Sequence, residues 1–140
     1  MVALSLCYQI RAREYLALAR MLKADAPHRP VVVGGHYASC AAEALLRNHP
    51  ELDLVVIHEG EHTLAELASL PTPLPTALAQ VPGIVYRDRG DIVVTRPREI
   101  IADLDSLAWA DRVGPARLVA GVPTAPSTPA RSSRSRPSTP

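Results

Sequence analysis

Three valines run straight into a glycine pair at Val31 to Tyr37 (VVVGGHY), and nothing else in the chain restricts the fold as tightly. β-Branched side chains are stiff and suit a pleated strand. An unbroken apolar run, where alternation would mark a half-exposed strand, reads as a strand covered on both faces, as in parallel sheets. Gly34 and Gly35 then mark backbone that turns sharply or lets something bulky approach. Ligands of open α/β sheets bind outside such strand ends. One short stretch thus sets both the expected fold class and the expected place of a site.

Val2 to Cys7 (VALSLC) and Asp53 to Ile57 (DLVVI) read as two further buried strands. Between the first two, Arg11 to Ala24 carries Tyr15, Leu18, Ala19 and Leu22 at helical spacing, and Pro27 and Pro30 forbid continuation. Ser39 is the expected N-cap of a helix reaching about Asn48, lined by Ala41, Ala44 and Leu45 and stopped by Pro50. His58 to Thr63 (HEGEHT) leads into another helix, in which Thr63 and Glu66 are spaced as a capping box and Leu64, Leu67 and Ala68 face inward. The alternation predicts an α/β fold, a partial flavodoxin- or Rossmann-like parallel sheet of about three strands with flanking helices and right-handed crossovers. Pro71, Pro73 and Pro75 form a stiff spacer, after which Gly83 to Arg87 and Asp91 to Thr95 flank Asp88-Arg89-Gly90 as a β-hairpin. Ile101 to Trp109 reads as a short turn or helix, and from Val113 onward Pro, Ser, Thr, Ala and Arg without periodicity predict a disordered tail. The expected organisation is an α/β domain over 1–70, a hairpin extension and linker over 71–112, and the tail over 113–140.

Size and charge narrow the function. The 140 residues allow one modest domain, and 47% hydrophobic content with no Phe makes its core small and aliphatic. All 14 acids but only ten of the 15 bases precede Arg112, so the body is mildly acidic and does not favour a nucleic-acid partner. The tail arginines read as solvated. No apolar run approaches the ~18 residues of a membrane span and no signal peptide is evident, so no membrane partner is expected. The widely spaced Cys7 and Cys40 read as small core residues of a reduced, cytoplasmic protein.

Several ordered motifs carry a resemblance. Ser5-Leu6-Cys7 is followed by Tyr8 to Val33 and then Gly34-Gly35; after a helix come an Asp-led strand at Asp53 and His58-Glu59-Gly60-Glu61 before the next helix. This succession resembles the cobalamin (vitamin B12)-binding domain of cobalamin-dependent radical S-adenosylmethionine enzymes, where Ser-x-Leu precedes a Gly-Gly pair and Gly-Glu-Gly-Glu precedes the later helix. Cys7 stands where Leu is usual and His58 replaces the first glycine of the quartet. The hairpin GIVYRDRGDIVVTR and the later ADLDSLAWADR are also similar to what precedes the catalytic barrel there, so the likeness covers about three quarters of the chain.

The resemblance implies a cobalamin-binding module truncated at both ends, beginning at the family's third strand. It implies that Ser5 hydrogen-bonds near the buried nucleotide tail, that Gly34 and Gly35 let the tail pass, and that His36, Glu59 and Gly60 border the corrin ring. Backbone N–H groups at a helix start are expected to meet amide or phosphate oxygens. The family's Asp-x-His-x-x-Gly loop, source of a lower cobalt ligand, is absent from the sequence, as is the Cys-x3-Cys-x2-Cys set, so no iron–sulfur cluster is expected and catalysis would fall to a separate radical S-adenosylmethionine chain. No catalytic residue and no metal site made by the protein alone is expected. His36, His58 and His62 sit on two loops without thiol or carboxylate partners at ligand spacing. Two rival readings stay open: an interaction or regulatory module of flavodoxin-like shape that binds no cofactor, and a small hydrolase using Glu59 or Glu61.

Overall fold

The computed structural model describes residues 1–70, 75–107, 118–119 and 122–123. The expected Pro71 and Pro73 spacer, Trp109 and most of the expected tail lie outside these residues. Chain contacts divide the molecule into Met1–Ile101 and Ala102–Pro140. In the second unit a 3-10 turn spans Leu104–Ser106, with Asp103 Oδ1 accepting the Asp105 N–H at 3.0 Å, and Leu118–Val119 pairs antiparallel with Val122–Pro123.

The first unit is built on a five-stranded sheet: β1 (Val2–Ser5), β2 (Val31–Gly34), β3 (Leu54–Val56), β4 (Ile84–Asp88) and β5 (Asp91–Val94), in that spatial order. β1, β2 and β3 are parallel, with Ser5 opposite Gly34 and Val33 opposite Val55. All three valines of β2 are buried, as a strand covered on both faces requires. The expected hairpin forms at Arg89-Gly90, where both residues take positive φ, 51° and 98°, as a two-residue hairpin loop demands. It is not an appendage, however. β4 pairs antiparallel with β3 along Leu54–Val56, and Ile84, Val85 and Tyr86 are all buried, so the hairpin extends the sheet itself.

Helices cover the two faces unequally, and this asymmetry makes the site. One face carries α1 (Ala12–Asp25), α2 (His36–Cys40) and α3 (Ala42–Asn48), whose Leu16, Ala19, Ala38, Leu45 and Leu46 pack on Val31, Val33 and Val55. The other face carries α4 (Glu61–Ser69) and α5 (Pro75–Leu78), whose Leu67 and Leu78 pack on Val32, Leu54, Val56, Ile84 and Tyr86. On that second face Ala3 and Ser5 of β1 remain exposed. In α1 the inward positions include Leu16, whereas Leu18, expected inside, is 41% exposed.

Two expected helix starts are corrected. Ser39 is no N-cap, because α2 begins at His36: the N–H groups of Tyr37 and Ala38 donate to the carbonyls of Cys7 and Leu6 at the end of β1, each at 3.2 Å. A neighbouring strand thus supplies acceptors that a local pattern cannot show. The segment then breaks at Ala41 (φ −115°, ψ 17°) into α2 and α3. Thr63 and Glu66 form no capping box either, since α4 starts at Glu61 and Thr63 is buried inside it, donating its hydroxyl to Pro82 O at 3.2 Å. The described helices include none long and apolar enough to cross a membrane.

Candidate functional site

Two adjoining concavities open at the carboxyl ends of β1, β2 and β3. The narrower is a slot of about 410 Å³ on the half-covered face of the sheet, floored by Ala3, Ser5, Val32, Gly34 and Val56 and flanked by Gly60 at the start of α4. The broader is a cleft of about 870 Å³ between the loops after β2 and β3, bordered by His36, Cys40, Glu59 and Ile100. Gly35 and His58 line both. A third concavity, lined by Lys23, Asp53 and Arg87, sits where β2 and β3 begin; Lys23 is already paired with Asp53 at 2.7 Å and Arg87 donates to Leu46 O and Leu52 O.

All six sequence-derived site residues meet around these two concavities: Ser5, Gly34 and Gly60 at the slot, His36 and Glu59 at the cleft, Gly35 at both. The two glycines of the pair differ physically. A Cβ on Gly34 would meet only Val56, at 3.6 and 3.7 Å, which is ordinary contact, so the absent side chain keeps the slot's floor low. Gly35 has φ 104°, and a Cβ there would lie 2.9 Å from Leu6 C and O, so glycine is needed for the fold itself.

At the start of α2 the amides are already taken within the fold. Tyr37 and Ala38 donate to the carbonyls of Cys7 and Leu6, just past β1, and the His36 N–H is directed to the Cys7 thiol. Cys7 and Cys40 are both exposed, contrary to the core role read from the sequence: Cys7 lies just beyond β1, where the chain has left the sheet, and Cys40 ends α2 at the cleft. Ser5 Oγ lies 3.4 Å from Cys7 Sγ, and this hydroxyl, followed by the His36 N–H, holds the thiol below its ordinary pKa. No group of three or more His, Cys, Asp or Glu is placed to hold a metal ion among the described residues.

Three further residues or stretches shape the site beyond the roles read from the sequence. Ser39 joins the two loops of the site, its hydroxyl donating to Gly35 O and accepting the His58 N–H, each at 3.0 Å. His58 itself has φ 60°, so the position filled by glycine in the resembled quartet is one where the backbone is left-handed. Pro97 to Ile100, after the hairpin, wall the cleft. No periodic or motif signal marks that stretch; only the charged partners it meets across the fold place it.

Residues 1–68 match the family model of the B12 binding domain. Over 89 residues, 63% of the chain, the sequence is 34% identical to the anaerobic magnesium-protoporphyrin IX monomethyl ester cyclase of Synechocystis sp.. The matched stretch is 17% of that curated relative's length.

Proposed function

We propose, from the premise that residues 1–68 belong to the B12 binding domain family, that this cobalamin-binding module seats the cofactor's nucleotide tail in the slot and its corrin at the cleft. The observation that carries this reading is that a smaller and a larger concavity lie side by side at one end of the parallel strands and share Gly35 and His58 as walls. A ligand with a flat head and a dangling aromatic base has that outline.

The residues present fit such a group. Ala3, Val32 and Val56 offer an apolar floor to an aromatic base, the bare Gly34 backbone leaves it room, and the exposed Ser5 hydroxyl is a polar group on that floor, with His58 and Glu61 at the slot's edge. At the cleft, His36 and Glu59 would border the corrin, with Gly60 beside them at the slot. When bound, cobalamin supplies methyl transfer or assists radical chemistry, as cofactors carry such chemistry while proteins orient them. This chain's residues bind and orient the cofactor.

Titration with hydroxocobalamin, followed by visible spectrum and calorimetry, tests the reading. Saturable binding by the wild-type chain, abolished by Gly34→Leu while the thermal midpoint stays within a few degrees, supports it. Silence up to millimolar ligand overturns it and favours a module that binds no cofactor.

A further inference from the structure

Between Arg96 and Ile101 the chain leaves the hairpin and crosses beside the loop that follows β3, tethered at three points. The Gly83 N–H donates to Arg96 O at 2.9 Å. Arg98 donates from Nε to Thr63 Oγ1 at 2.7 Å and pairs through Nη2 with Glu66. The Ile101 N–H donates to Glu59 Oε2 at 2.8 Å. Thr63 is fully buried and Arg98 is only 22% exposed, so these tethers are anchored in packed structure. Between the last two lies Ile100, whose side chain is 80% exposed on the wall of the cleft. Exposure alone would not single it out, but Ile100 lines the cleft and is flanked by tethered neighbours, so its apolar side chain is held where a ligand in the cleft would meet it.

We propose that Pro97 to Ile100, outside the 68 residues matched by the family model, is a wall of the cofactor cleft, with Ile100 its apolar contact to the corrin edge and Glu59 a positioning residue that holds it there. This rests on the reading of the cleft as a cobalamin site. The Glu59 carboxylate is engaged by the Ile101 amide, so its contribution to affinity passes through the placement of Ile100. Arg98 is likewise a structural tether, its guanidinium taken up by Thr63 and Glu66. Ile100 thus joins the site, and Glu59 acts as its brace.

Hydroxocobalamin affinity of the full chain, measured for Ile100→Ala, Glu59→Ala, Glu59→Gln and the Ile100→Ala/Glu59→Ala double variant, tests this. Removing most of an isoleucine side chain from an apolar contact weakens binding about tenfold, with the thermal midpoint unchanged because Ile100 is exposed in the free protein. Ile100→Asn, polar at similar size, gives the same loss. Glu59→Ala weakens binding and speeds amide exchange at Ile101, Glu59→Gln restores both by keeping an acceptor, and the double variant binds no worse than Ile100→Ala alone. Wild-type saturation with unchanged affinity in Ile100→Ala and Ile100→Asn, or simple additivity in the double variant, overturns the proposal and leaves the cobalamin reading standing. A wild-type chain that does not bind overturns both.

Discussion

Gly35 stands against Leu6 so closely that a Cβ on it would lie 2.9 Å from the Leu6 carbonyl carbon and oxygen. The loop after β2 is thereby pressed onto the end of β1, and the Leu6 N–H in turn donates to Gly34 O at 2.7 Å. Side chains rarely adopt φ near 104°, so Gly35→Ala adds conformational strain to a collision with backbone that cannot swing aside. Together these destabilise the fold by about 2 to 4 kcal/mol. Gly34→Ala meets only ordinary contacts and costs well under half as much. Urea unfolding of the two variants measures the difference; equal midpoints would contradict it.

His58 carries the opposite sign. Its φ of 60° is a conformation that costs an L-residue about 1–2 kcal/mol, and its N–H is held in that turn by Ser39 Oγ at 3.0 Å. Glycine relieves the strain and keeps the amide, while giving back about 0.4–1 kcal/mol through greater freedom of the unfolded chain. His58→Gly is therefore expected to stabilise the protein by about 0.5 to 1 kcal/mol. A lowered urea midpoint in that variant would show that the imidazole makes contacts worth more than the strain.

The strand framework could be read from residue types because its cause is local. Three consecutive valines, or LVV at Leu54–Val56, are apolar on both sides of a pleat and have few alternatives to burial. Of the six site residues only Gly34 and Gly35 are marked by residue type, at the end of a buried strand; Ser5, His36, Glu59 and Gly60 come from the ordered motifs of the resemblance. What failed to show depended on distant partners. α2 starts where the Leu6 and Cys7 carbonyls lie, Thr63 turns to Pro82 and Arg98, and neither is encoded within four residues of the helix start. The joining of the hairpin to the sheet had a visible sign: Ile84-Val85-Tyr86 is an unbroken apolar run, which a free-standing hairpin with an exposed face would not carry.

Asp53, the residue that leads β3, has a structural duty that its place in the motif does not reveal. Its Oδ2 accepts the Val31 N–H at 2.6 Å and lies 2.7 Å from Lys23 Nζ, tying the start of β2 to α1. Asp53→Ala leaves the first amide of β2 without that acceptor and Lys23, itself 19% exposed, without its counter-charge. The expected loss is about 2 kcal/mol, the range for hydrogen bonds to a charged group. Asp53→Asn keeps an acceptor for Val31 and loses less. Chemical denaturation of both variants checks this, and an Asp53→Ala midpoint equal to wild type would remove Asp53 from the account of the fold.

Cys7 offers a test of the slot's polar end without any ligand. The Ser5 hydroxyl stabilises its thiolate most, the His36 backbone N–H next, and desolvation opposes both weakly, so the folded thiol titrates below its ordinary range. Because the folded value is lowered, the thiolate's preference for the fold is fully present above the unfolded thiol's pKa and disappears as pH falls through the folded one. The same lowering governs reactivity, since the thiolate is the nucleophile. Alkylation of a Cys40→Ser chain by iodoacetamide, followed against pH, is expected to show an inflection below that of the urea-unfolded chain. Ser5→Ala moves the inflection upward without altering the fold, because Ser5 is exposed and pairs through its backbone with β2. An inflection that stays in place in Ser5→Ala would mean that the hydroxyl does not turn toward Sγ and that the thiolate is held by other groups.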